Sequence, residues 1–520
     1  MTAPDVLWAI LEHVGSGPDR PAAKDLERDL SYRQLRDDAG LVAAGLGARG
    51  VVAGDRVALH LPNSVDFVVA AMACLWVGAI FVPLAVTDPA VRLDAILGDC
   101  APAVVITSDE TDQTGGTGET ESTPTFDRGR WVRISTLRSA DGVPSAPARV
   151  TERVAYAIYT SGTTGAPKGV LIGNRAFAAA VAATADALGL DAGTRTLCVS
   201  PFHFDGSFGT LFPTLFSGGA VVIRPREALL FPRTFFNAVA REAITYTGFS
   251  PSYLRLLLSS PQIGKLAGTS LLVALGGEAC SAADVHSLWD VAPDVEVFNR
   301  YGPTETTIAV THARVTAESI ADGTVSIGQP HPGVTFHVLD DQGCLVDSAE
   351  RVGELYVGGD QLMDGYWGAP ELTADVLRTD VVGGETVYRT GDLVYRTVDG
   401  DYVYVDRADR VIKRLGIRIS LVELGDAMSA LPGVSAAVCV AYDDGGQTGI
   451  VAFVVTDSPV SALDLRRAAG DHLPESMLPD RIELVESLPL TRSSKLDERR
   501  LLSDAGLRQR GSGAPSDSRA

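Results

Sequence analysis

Paired cysteines, a surplus of basic charge and a long uninterrupted apolar run are all missing from this 520-residue chain. Its six cysteines, Cys74, Cys100, Cys198, Cys280, Cys344 and Cys439, lack the spacing of a zinc site or a disulfide framework, so free thiols are expected. Lys and Arg total 44 against 65 Asp and Glu, and the net charge of −21 disfavours nucleic acid and anionic membranes as partners. The Arg-rich end, with Arg492, Arg499, Arg500, Arg508 and Arg510, reads as a solvated helix face. The apolar run Phe67 to Leu84 is interrupted by Trp76, Gly78 and Pro83, and the start Met1-Thr2-Ala3-Pro4-Asp5 has no basic leader. Neither a membrane span nor a signal peptide is therefore expected, and the expected location is cytoplasmic.

What the chain has is apolar mass and glycine: 46% hydrophobic residues and 53 glycines, enough for large cores in more than one domain. Strand and helix signals alternate through residue 320, from Val57-Ala58-Leu59-His60-Leu61 and the helix expected over Ser64 to Val77 onward. This is the pattern of an α/β fold with largely parallel sheets. From about 108 to 130 the chain is rich in Thr, Gly, Glu and Ser and reads as an exposed loop. Short strand signals with turns between Ser326 and Asp406 indicate a β-rich subdomain.

The densest signal is Tyr159-Thr160-Ser161-Gly162-Thr163-Thr164-Gly165-Ala166-Pro167-Lys168-Gly169-Val170, which follows the apolar run Val154 to Ile158. Glycines that bare backbone N–H groups, hydroxyls and a lysine can together wrap a polyphosphate. The Gly-Lys-Ser/Thr ending of the Walker A loop is absent, because Pro167 precedes Lys168 and Gly169 follows it. Gly276-Gly277-Glu278 and Tyr301-Gly302-Pro303 also follow apolar runs, so all three turns are expected at strand carboxyl ends, lining one crevice.

Three further segments complete the pattern: Asn299-Arg300-Tyr301-Gly302-Pro303-Thr304-Glu305, Tyr388-Arg389-Thr390-Gly391-Asp392-Leu393 and Leu488-Pro489-Leu490-Thr491-Arg492-Ser493-Ser494-Lys495. In this order, over roughly residues 8 to 500, the chain resembles the adenylate-forming superfamily of acyl-CoA synthetases, firefly-type luciferases and nonribosomal peptide synthetase adenylation domains. It is most similar to the last group, and in its free-standing form to enzymes that load β-amino acids in macrolactam polyketide pathways. The resemblance implies a large N-terminal core of two βαβ-type subdomains and a β-barrel subdomain over residues 1–408. A small mobile α+β domain over 409–505 and a flexible tail over 506–520 would follow. Asp409 would be the hinge, with Asp406 standing where the family usually has glycine, and Ser494 likewise replaces a usual glycine before Lys495.

The resemblance also assigns roles. ATP with Mg2+ is the implied cofactor pair. Thr160, Ser161, Gly162, Thr163, Thr164 and Lys168 would hold its phosphates, and Glu305 would be the magnesium ligand. Gly277, Glu278, Ala279, Asn299, Tyr301, Gly302 and Thr304 would complete the nucleotide site, with Tyr301 on adenine and Asp392 on the ribose hydroxyls. Arg407 is expected near ribose or phosphate, and Lys413 near the ligand in the second half-reaction. Lys495, with Glu305 and Thr164, would carry adenylate formation, its ammonium offsetting the repulsion between carboxylate and α-phosphate. The acid pocket would comprise Asp205, Gly206, Gly209, Gly248, Val273, Leu275, Arg300, Ile308 and Ala309. Asp205 matches the aspartate that pairs with a substrate ammonium, which implies an amino acid. The lack of a bulky residue at Gly209 leaves volume or lets the substrate chain enter differently; Arg300 could meet a substrate carboxylate, but Val273, Leu275 and Ile308 beside it favour an aliphatic side chain, with Arg300 structural or a partner contact. The residues after Lys495 are too few for a carrier domain, so the acceptor is expected to be the phosphopantetheine thiol of a stand-alone carrier protein. An α-amino acid enzyme and an acyl- or aryl-CoA ligase are the alternatives.

Overall fold

The computed structural model describes residues 5–109, 125–139, 146–147, 153–160, 167–340, 342–407, 411–414, 417–445, 447–489 and 496–509. Local signals set the first elements. Ser31 opens the helix Tyr32–Ala48 with a reciprocal cap, its hydroxyl accepting from Gln34 N while the Gln34 side chain accepts from Ser31 N. Ser64 caps Val65–Val77 by accepting from Phe67 N, and Gly78, at φ 75°, ends that helix in the left-handed conformation. The helix is apolar on every side because nearly all of it is buried inside the domain. No helix among the described residues is long and apolar enough to cross a membrane.

Two sheets dominate. A seven-stranded sheet runs Gly365–Tyr366, Lys168–Gly173, Val154–Thr160, Ile80–Pro83, Arg56–His60, Val104–Thr107 and Trp131–Arg133. An eight-stranded sheet runs Thr311–Val315, Glu296–Tyr301, Leu272–Gly276, Tyr246–Phe249, Arg195–Cys198, Ala220–Ile223, Pro21–Lys24 and Asp29–Ser31. The eight-stranded sheet is parallel inside and antiparallel at both edges, whereas the seven-stranded sheet is antiparallel from Gly365–Tyr366 to Val154–Thr160 and parallel from there to Trp131–Arg133. The phosphate-loop residues join Val154–Thr160 to Lys168–Gly173 as an antiparallel pair, with Thr160 opposite Lys168, rather than leading from a strand into a helix. The largest core draws on both sheets and on the helices Val65–Val77, Asn174–Ala187 and Phe208–Phe216. At its centre Phe81, Tyr156, Phe177, Phe208 and Phe212 pack mostly edge to face.

The β-rich segment forms a five-stranded antiparallel sheet of Val334–Leu339, Gly353–Gly359, Val387–Arg396, Leu377–Arg378 and Tyr402–Arg407 around its own apolar core. The C-terminal part is α+β. A hairpin of Val411–Arg414 and Ile417–Ser420 precedes the helix Leu421–Ser429, followed by a four-stranded sheet of Arg481–Leu484, Gln447–Thr456, Val434–Asp444 and Arg508–Gln509. The last of these strands lies past residue 505, where the C-terminal domain was expected to end.

Candidate active site

The crevice lies between the two large sheets. Leu272–Gly276 and Glu296–Tyr301 are parallel neighbours in one sheet. Their carboxyl ends share a cavity of about 360 Å³ with Tyr159 and Thr160 at the end of a strand in the other. Glu305 sits in the turn after Tyr301 and is only 1% exposed. Tyr366 OH donates to Glu305 Oε1 (2.8 Å), and Lys168 Nζ donates to Tyr366 OH (3.0 Å) while lying 3.7 Å from the same carboxylate oxygen. Thr160 Oγ1 is enclosed with no hydrogen-bond partner among the described residues. A buried carboxylate beside an ammonium suits a metal–polyphosphate pair. Among the described residues no group of three His, Cys, Asp or Glu side chains could hold a metal alone. A lone Glu305 fits Mg2+, which keeps waters and binds through one or two carboxylates plus substrate phosphates.

A second cavity of about 370 Å³ is lined by Gly277, Glu278, Ala279, Asn299 and Tyr301, with Arg414, Asp444 and Gly449 contributed by the C-terminal part. Tyr301 OH donates to Asp392 Oδ2 (2.6 Å), and the Asp392 amide donates to Thr390 Oγ1 (2.9 Å), which fixes a carboxylate that is 1% exposed. Gly391, at φ 71°, permits the register shift of Val387–Arg396 against Gly353–Gly359. Arg407 is paired directly opposite Asp392. Two wall residues are held by protein partners: Glu278 accepts from Ser252 N and Oγ, and Asn299 Nδ2 donates to Ser326 O. Gly302 allows a close backbone approach, since a Cβ there would lie 2.5 Å from Ala309 Cα.

On the acid side, Asp205 begins a short turn leading into the helix Phe208–Phe216. Its Oδ2 is enclosed without a hydrogen-bond partner. Burial raises its pKa to about 6, against the bond from Thr304; Glu305 raises it further, while the Gly206 amide and Arg300 hold it down. His203, at the cavity wall, stays neutral because burial, Arg226 and Arg92 push its pKa down to about 3. Ile308 lines the same cavity at φ 71°, next to Thr307 at φ 60°, both rare for β-branched residues. Gln361 holds this strained turn. Its Nε2 donates to Ala309 O (2.7 Å), and Thr307 Oγ1 donates to its backbone carbonyl (2.7 Å).

Four expectations change. Val273 and Leu275 face away from the cavity into the core with Phe249, Val285 and Leu288, whereas Gly276, on the other face of the same strand, abuts Arg300. A strand alternates faces at every residue, so the carry-over is displaced by one position. The space beside Gly209 and Gly248 is not free, because Ile308, Thr210 and Arg300 occupy it. Arg300 is 8% exposed, too enclosed for a partner contact. Ala309 is buried and absent from the cavity lining, its carbonyl held by Gln361. Ser161, Gly162, Thr163, Thr164, Asp409 and Lys495 lie outside the described residues, and of Arg407 and Lys413 only the backbone is described. Sequence reading missed Tyr366 and Gln361; neither stands in a run whose composition signals chemistry.

Residues 11–367 match the family model described as AMP-binding enzyme, and residues 423–495 the one described as AMP-binding enzyme C-terminal domain. A dimodular nonribosomal peptide synthase of Bacillus subtilis (strain 168) is 32% identical over 487 residues, 93% of this chain and 20% of the relative. An isonitrile lipopeptide synthase of Streptomyces coeruleorubidus is 34% identical over 513 residues, 95% and 33% respectively. The chain thus spans a fifth to a third of the length of these relatives. The crystal structure of IdnL1 superposes with a TM-score of 0.78 at 29% identity, covering 93% of this chain and 98% of that one. An artificially fused adenylation-PCP di-domain, NpsA-ThdA of Klebsiella oxytoca, shares the fold with a TM-score of 0.82 at 23% identity, covering 93% and 94%. The matched models and the paired Lys168–Glu305 and Tyr301–Asp392 geometry agree: this chain belongs to the AMP-binding, adenylate-forming enzymes.

Proposed function

We propose that the chain converts an amino acid to its aminoacyl-AMP and then passes the acyl group to the phosphopantetheine thiol of a carrier protein supplied as a separate chain. The observation that carries the amino acid reading is Asp205, a carboxylate in the cavity wall with an enclosed oxygen that lacks a partner. A substrate ammonium would complete it; an acid without an amine would leave it buried and unpaired, which costs about 3–5 kcal/mol for a broken buried pair. In the first half-reaction a substrate carboxylate oxygen bonds to the α-phosphorus of ATP as the α–β phosphoanhydride breaks and pyrophosphate leaves. Thr160 and Lys168 would bind the phosphates, Glu305 would hold Mg2+, and Tyr366 would keep lysine and carboxylate at their spacing. When bound, magnesium neutralises charge on the departing pyrophosphate. Lys495 would reach between the carboxylate and the α-phosphate, and turning about Asp409 would then withdraw it and admit the thiol.

The carrier reading is supported by the curated relatives, which are named as peptide synthases. The β-amino position of the substrate amine is supported by the stretch Phe204 to Phe212, which departs from the common α-amino acid pattern. Spare volume gives it no support, because Ile308, Thr210 and Arg300 take that space. ATP–pyrophosphate exchange with β-amino acids, their α-amino counterparts and the matching amine-free acids tests the reading. Exchange led by β-amino acids, followed by loading of a holo-carrier protein in preference to coenzyme A, is the expected result. Preference for amine-free acids would overturn the role of Asp205.

A further inference from the structure

We propose that Arg300 binds an anionic oxygen on the substrate's side chain, so that the amino acid activated here carries a second carboxylate. This deepens the proposed function and rests on it. Arg300 projects from the interior strand Glu296–Tyr301, paired with Gly276 on one side and His312 on the other. It is 8% exposed, lines the acid cavity, and has its Nη1 enclosed without a hydrogen-bond partner. No carboxylate among the described residues stands within ion-pair distance of it, and its neighbour His312 is kept neutral by burial, His331 and Arg300 itself.

The backbone is shaped around this side chain. A Cβ at Gly276 would lie 2.4 Å from Arg300 Cγ; one at Gly209 would lie 2.7 Å from Ile308 Cγ2 and 3.0 Å from Arg300 Nη1, and one at Gly248 would lie 2.6 Å from Thr210 Cγ2 and 3.4 Å from Arg300 Cζ. Gly206 stands at 3.8 Å from Nη2 by the same measure. A guanidinium stays charged in proteins, and a desolvated charge without a counter-ion is costly, so the cradle makes sense when a ligand completes it. Asp205 faces the same cavity with its own unpartnered oxygen and is not ion-paired to Arg300. The pocket therefore holds two opposite charges, each with one enclosed atom that lacks a hydrogen-bond partner, Asp205 Oδ2 and Arg300 Nη1. An ammonium and a second carboxylate on one substrate would complete both and still leave a carboxyl group to react with ATP. A neutral amide could accept from Arg300 but would leave its charge uncompensated, and the guanidinium is a fork matched to a carboxylate. Arg300 also borders the nucleotide cavity, but the glycines beside its guanidinium, Gly206, Gly209 and Gly248, are acid-pocket positions, which favours the substrate side chain over the phosphates of ATP.

The test is pyrophosphate exchange by the full chain with aspartate, glutamate and 3-aminoglutarate against alanine, 3-aminobutyrate and the amine-free acids, for the parent enzyme, Arg300→Met and Arg300→Lys. Calorimetric ATP titration of each variant reports whether the nucleotide site is intact. The expected result is that amino dicarboxylic acids lead. Arg300→Met should then lower their kcat/KM on the order of 100-fold, as for loss of one partner of a buried charge pair, with Arg300→Lys in between and ATP affinity retained. Exchange led by monocarboxylic amino acids and insensitive to Arg300→Met would overturn this inference while leaving amino acid adenylation standing. A uniform loss over all acids with weakened ATP binding would overturn it as well, by moving Arg300 to the nucleotide. Exchange led by amine-free acids would overturn the underlying reading of Asp205 first.

Discussion

Asp205 titrates within reach of ordinary buffers because burial opposes its ionisation more than Thr304 and Arg300 favour it. Its folded pKa of about 6 exceeds the ordinary carboxylate value, so its contribution to stability is present at low pH and is lost as pH rises through about 6. Substrate-free Asp205→Asn is therefore expected to melt higher than the parent at pH 8, with the difference vanishing near pH 4, as differential scanning fluorimetry would show. Ammonium binding needs the ionised form, so KM for the amino acid should rise as pH falls below about 6, and that limb should be absent in Asp205→Asn. Tyr366 gives a second residue-scale expectation. Removing its hydroxyl in Tyr366→Phe breaks the bridge between Lys168 and Glu305, and exchange kcat should fall about tenfold, as for one hydrogen bond to a charged group. An unchanged rate would show that the bridge does not position either charge.

The elements carry the site by register and by tying. On the strand Leu272–Gly276, alternation sends Val273 and Leu275 to the core and Gly276 to Arg300, a choice invisible in an apolar run buried on both faces. The helix Tyr32–Ala48 is tied to Val65–Val77 and Ile134–Arg138 by a four-residue charge cluster. Arg28 and Arg138 each pair with both Asp38 and Asp66, at 2.5–2.7 Å. Asp38→Ala would leave two guanidinium groups sharing one carboxylate. The cluster is partly solvated, so the expected loss is about 2 kcal/mol, below the ~3–5 of a fully buried broken pair. Guanidinium chloride unfolding would measure it, and a midpoint unchanged from the parent would make the cluster a surface ornament.

For the whole molecule, both cavities are closed in part by the C-terminal region, through Gln447, Pro474 and Met477 over the acid and Arg414, Asp443 and Asp480 over the nucleotide. That region therefore covers part of both openings. Lys495→Ala is expected to lower exchange on the order of 100-fold while leaving amino acid and ATP affinities close to the parent, since its ammonium would act on charge that develops in the transition state. Equilibrium dialysis alongside exchange kinetics separates the two, and a large loss of ATP affinity would recast Lys495 as a ground-state ligand.

The sequence by itself determined the family, because the groups assigned to ATP stand in contiguous runs: Thr160 to Lys168, Asn299 to Glu305 and Tyr388 to Asp392. Chain connectivity keeps such runs together whatever the rest of the fold does, and the alternation of strand and helix signals likewise declared the α/β class. Only the tertiary structure decided what the acid pocket contains. Gly206, Gly248, Gly276 and Arg300 come from separate elements, and whether those glycines leave a void or receive a guanidinium depends on the registers of neighbouring strands. Tyr366 and Gln361 reach Glu305 and the Thr307–Ala309 turn from more than 50 residues away. Short-range pattern cannot encode that distance, so packing had to close it.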